Sequence, residues 1–93
     1  MPNHHDLKQF TKQFQPIVNS EKRSIVRYDD RKYTIGDTVT LREGRPEADG
    51  FEYTGRSISA RISYIDDFGC QTGYLNLSLS SVGMLIVNDK VPG

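Results

Sequence analysis

The sequence predicts a small α+β domain, with several short strands in a twisted or barrel-closed sheet and one helix near the front. Three observations carry that reading. Polar and apolar residues alternate in short runs such as residues 38–43 (TVTLRE) and 56–65 (RSISARISYI). Glycine-bearing turns separate those runs at close spacing. One helical stripe precedes them, with Phe10, Phe14, Ile17 and Val18 at i, i+4, i+7 and i+8.

Taken in order, residues 5–8 (HDLK) read as a short strand or a lead-in. Residues 10–19 (FTKQFQPIVN) read as an amphipathic helix with Thr11 as a candidate cap. Pro16 removes a backbone donor and restricts Gln15, so the helix is expected to be short or kinked. Residues 23–28 (RSIVRY) are rich in β formers. On a regular strand Arg23, Ile25 and Arg27 share one face, and Ser24, Val26 and Tyr28 the other. Residues 33–37 (YTIGD) predict a tight turn around Gly36. Residues 44–52 (GRPEADGFE) predict a loop, and residues 53–56 (YTGR) the tip of a hairpin. Along residues 56–65, Ile58, Ala60, Ile62 and Tyr64 are expected to point inward. A turn at 66–69, a strand at 73–79, a last short strand at 84–87 and a frayed tail at 88–93 complete the reading.

A chain of 93 residues implies one domain, here 1–93, with a core over about 5–79 and an extension at 80–93. With 35% hydrophobic and 26% charged residues it has the composition of a soluble globular protein. No apolar run approaches the ~18 residues of a membrane span, so no membrane partner is expected. The stretch MPNHHDLKQF has no apolar h-region, and no secretory signal is expected. The single cysteine, Cys70, excludes an internal disulfide and fits a reducing compartment, so the expected location is cytoplasmic. Cys70 has no histidine at motif spacing to activate it as a nucleophile. No cluster has metal-ligand spacing, and neither a metal nor another cofactor is expected. Monomer and weak homodimer both stay open.

The formal charges cancel, yet they are unevenly spread. Residues 1–34 carry a net +3 and the remainder a net −3. Five basic residues, Lys22, Arg23, Arg27, Arg31 and Lys32, fall within residues 21–37. That asymmetry points to a basic face for an anionic partner. A formally neutral chain lacks the strong basicity, pI above ~9, of a nonspecific nucleic-acid binder. The candidate ligand-binding residues follow from side-chain chemistry. Lys22 pairs with a phosphate or polarises a carbonyl, and Arg27 offers a planar fork for phosphate or a base edge. Asp30 orients Arg31 or Arg27, or serves a purely structural turn. Tyr53 offers a ring for a base, and Arg56 a phosphate contact.

Together, Lys22 with Arg27, Asp30 with Arg31, Gly36 with Asp37, and residues 53–56 come in an order that resembles the ASCH-type domains of the PUA-like superfamily. The likeness spans roughly residues 5–79 and is nearest to small uncharacterised bacterial and phage proteins. It implies a small PUA-like β-barrel with one or two short helices and a cleft beside the first helix. It also implies RNA or nucleotide binding, and places His5 near the barrel mouth. Some relatives hydrolyse acetylated cytidine nucleosides with a lysine, a threonine three residues later and a downstream glutamate. Lys22 matches the lysine, but Ile25 stands at the threonine, and beyond Glu52 the acids are Asp66, Asp67 and Asp89. No catalytic residue is assigned, and hydrolysis is a secondary expectation. The first expectation is a binding module for RNA or a nucleotide. The third is a protein-interaction domain for an acidic partner.

Overall fold

In β1 (His4–Phe10), His5 and Leu7 are buried while His4, Asp6 and Lys8 are exposed, the period-two pattern of a strand with one covered face. The computed structural model describes residues 2–87. After β1 come α1 (Thr11–Val18), β2 (Ser24–Tyr28), β3 (Thr38–Glu47), β4 (Gly50–Asp66) and β5 (Tyr74–Ser80). Phe14 and Ile17, from the predicted stripe, anchor α1 on the sheet. Phe10 precedes the helix in extended backbone, with no side-chain cap. Pro16 lies inside the helix, where its missing amide leaves one turn without its hydrogen bond, and the helix ends at eight residues.

The strands form one sheet in the order β1-β3-β4-β5-β2. β1 runs parallel to β3, and every other neighbouring pair is antiparallel. The sheet is open, with β1 and β2 as its edges. The core lies on its inner face, where Ile25, Val39, Leu41, Ile62 and Leu77 are almost wholly buried. Each such side chain contributes about 1.5–3 kcal/mol relative to exposure. Among the described residues no helix is long and apolar enough to cross a membrane.

Four local expectations need correction. Residues 44–52 are mostly strand: β3 continues to Glu47, β4 begins at Gly50, and the connection is two residues long. Pro46 is tolerated because β1 stops pairing at Gly44, so Pro46 has a neighbour on one side only. Residues 53–56 are not a hairpin tip. They lie inside β4 at a bulge, where Arg42 pairs with Ser57 but Gly44 pairs with Tyr53. Tyr64 points outward, 58% exposed, because a second bulge between Ile62 and Tyr64 inverts the alternation and turns Ile65 to the core. Residues 84–87 form no strand. Ile86 makes one isolated bridge to Ser57, with hydrogen bonds of 2.8 and 2.9 Å. The predicted tail at 88–93 lies outside the described residues.

Candidate functional site

β1 and β2 lie at opposite ends of the strand order, yet a side chain joins them. Arg27 on β2 donates to the Lys8 carbonyl and to Gln9 Oε1 (3.0 Å) on β1. Arg31, just past β2, donates to the Asp6 carbonyl at 3.1 Å. The sheet therefore curls until its edges are within one side chain's reach. Edge carbonyls that no strand covers are satisfied by guanidinium groups instead.

A groove of ≈ 490 Å³ opens along this seam, lined by Lys8, Gln9, Phe10, Val26, Arg27, Gly50 and Phe51. Phe10 is half-exposed and stacks on Phe51, centroids 5.8 Å apart. The Lys8 ammonium lies 5.6 Å from the Phe51 centroid, and Tyr53 meets the same ring edge-on at 5.0 Å. Phe51 rests on Gly44. A Cβ there would stand 2.1 Å from the ring, so only glycine admits it. A second compartment of ≈ 270 Å³ continues the seam past Asp6, Arg31, Arg42 and Tyr53. Lys8 and Arg27 have no carboxylate within ion-pair distance among the described residues. Burial pushes the Arg27 guanidinium below its ordinary pKa, with neighbouring Arg31 acting in the same direction and Asp30 against it.

The predicted site residues divide between this seam and the scaffold. Arg27, Arg31 and Tyr53 line the seam. Asp30 is exposed beside Arg31, at 3.9 Å. Lys22 lines a neighbouring groove of ≈ 250 Å³ with Gln9, Gln13, Ile25 and Val26. His5 is buried, and its Nε2 donates to Asp37 Oδ2 at 2.8 Å. That hydrogen bond, with others from the Asn3 and Thr34 amides, holds the Asp37 carboxyl below the usual range. Arg56 is turned inward by the β4 bulge. Its Nε and Nη2 reach the two oxygens of Glu43 at 2.7 Å each, and Nη2 also reaches Gln15 on α1 at 2.8 Å. Arg56, joined by Thr54 and Thr11, lowers the buried Glu43 carboxyl to about 2. Ile25, at the position of the hydrolases' threonine, is buried in the core.

Lys8, Gln9, Phe10 and Phe51 were not among the predicted site residues. Phe10 read as part of the helix stripe, and Phe51 as part of a loop. The available signal was Gln9, a polar residue on the face that β1 otherwise gives to His5 and Leu7.

Fold and site together define a small, mostly β protein with a basic, aromatic groove where the edges of an open mixed sheet approach. The chain belongs to the family described as Domain of unknown function (DUF3850), which it matches over residues 4–79. It is similar to the "Uncharacterized 12.9 kDa protein in GpA 3'region" of Escherichia phage P2, with 36% identity over 63 residues. The match covers 68% of this chain and 54% of the phage protein, so the chain spans about half the length of that relative.

Proposed function

We infer that the chain is a PUA-like, ASCH-type module whose seam groove binds a nucleotide or a short single-stranded RNA segment. One observation carries this reading. A single groove holds a stacked aromatic pair, half-exposed Phe10 and partly buried Phe51, and two cations, Lys8 and Arg27, that form no ion pair with a carboxylate among the described residues. Base stacking on an aromatic ring contributes about 1–3 kcal/mol and tolerates any base. Guanidinium and ammonium groups supply the phosphate contacts. The seam fits one or a few phosphates rather than a long track, in keeping with a formally neutral chain. Arg31 extends it at one end, and Lys22 lies one compartment away across Val26. The free cysteine fits a cytoplasmic setting for such a ligand.

Calorimetric titration with 5′-mononucleotides and a short single-stranded RNA at several salt concentrations tests the reading. Lys8→Ala and Arg27→Ala should each weaken RNA binding about tenfold and reduce the salt slope by about 0.7. Unchanged affinity and slope in both variants would sink it.

A further inference from the structure

The inner face of β1 presents His5, Leu7 and Gln9, and that of β2 presents Ile25 and Arg27. His5, Leu7 and Ile25 are buried. Gln9 and Arg27 are the polar pair that completes this row where the two edges meet, with Arg27 Nη2 3.0 Å from Gln9 Oε1. A guanidinium has donors only, so the amide atom facing it must be the oxygen. The Gln9 NH₂ group is thereby turned the other way. No described protein group accepts a hydrogen bond from it. Gln9 lines both the aromatic groove and the Lys22 groove, at their junction.

We propose that Gln9 is the base-reading residue of the groove, held with its donors outward by Arg27, and that it selects bases bearing a ring carbonyl over adenine. This rests on the nucleotide reading above. A glutamine reads adenine with both amide atoms, the oxygen accepting from the N6 amino group while the NH₂ donates to N7. Here Arg27 takes one lone pair of that oxygen, and its positive charge repels the polarised N6 amino group from the other. The NH₂ group brought to adenine N7 or N1 makes one hydrogen bond there, with the N6 amino group beside it left unpaired next to the guanidinium. Guanine offers adjacent acceptors at O6 and N7, and cytosine and uracil offer carbonyl oxygens. Phe10 and Phe51 supply the affinity common to all bases, while Gln9 supplies the difference between them.

The test is calorimetric titration of the intact chain with AMP, GMP, CMP and UMP. AMP should bind about threefold to tenfold more weakly than the other three, the range of one neutral hydrogen bond. In Gln9→Leu the four affinities should converge to within about twofold while binding persists. Gln9→Glu replaces the donors by a carboxylate, and should lose GMP, CMP and UMP binding more than AMP binding. An amide spectrum matching the parent protein's confirms that each variant is folded. AMP binding as tightly as the others, or discrimination that survives both variants, would overturn the role of Gln9 and leave the nucleotide reading intact. Failure of all four nucleotides to bind would overturn both.

Discussion

Arg56 and Arg27 are both partly buried arginines, yet their surroundings are opposite in kind. Arg56 meets Glu43 through two hydrogen bonds of 2.7 Å, lies over the Phe14 ring and holds α1 through Gln15. Its hydrogen bonding with Glu43 raises its pKa. Arg27 donates only to neutral oxygens, the Lys8 carbonyl and the Gln9 amide, and burial lowers its pKa. A guanidinium matched by a carboxylate carries no net charge to offer a ligand. One satisfied by neutral groups keeps its full charge, and its desolvation is relieved when an anion arrives. The comparison assigns Arg56 to the fold and leaves Arg27, under the proposed function, to the ligand.

The largest effect expected is on the fold side. Glu43→Ala leaves Arg56 without its partner beneath α1, and should cost about 3 kcal/mol in urea unfolding. The same pair is readable by acid titration. The folded Glu43 carboxyl lies at about 2, below the 4.5 of an ordinary glutamate. A depressed carboxyl contributes stability that is present above its unfolded pKa and lost as pH falls through the folded one. Roughly 3 kcal/mol should therefore disappear between about pH 5 and pH 2. Asp37, lowered by His5, acts in the same direction. Glu43→Gln should flatten that acid limb, and an unchanged limb would break the assignment of Arg56 and Glu43 to the fold.

Next is Gly44→Ala. The new Cβ collides with Phe51 and with the Glu52 carbonyl, so the ring must leave its seat. A loss of about 2 kcal/mol of stability is expected from overpacking. Nucleotide affinity should also fall severalfold, and Phe51→Ala added to Gly44→Ala should weaken binding no further. Arg27→Ala should change stability by no more than about 1 kcal/mol, because it removes a desolvated charge along with its hydrogen bonds. A larger loss, with binding intact, would move Arg27 to the fold side. Lys22→Ala should have the smallest effect, less than about twofold on a mononucleotide, and a measurable one only on a longer strand.

Much of the scaffold was legible in local pattern. Phe14 and Ile17 gave the helix its face, and Ile58, Ala60 and Ile62 gave β4 its inward row. The hairpin of β3 and β4 was hidden because glycine, proline and acids over 44–52 carry the composition of a loop, while the pairing that orders them is tertiary. Tyr64 was misplaced because a bulge changes phase without a local signal. Asp37 read as turn chemistry, yet its partner His5 is 32 residues away. The seam was least visible. It joins residues near 8–10, 26–27 and 50–51, which meet only through a parallel β1–β3 pair and the curl of the sheet. The clustered basic stretch contains Arg27 and Arg31, which line the seam, but supplied no means of telling them from Arg56.

The most direct test is an amide NMR titration of the isotopically labelled chain with GMP. Shifts should concentrate on residues 8–10, 26–27 and 50–51, and the amides flanking Glu43 and Arg56 should stay still. Shifts gathered around Glu43 and Arg56 with the seam silent, or none at millimolar ligand, would contradict the division of charges on which the functional reading stands.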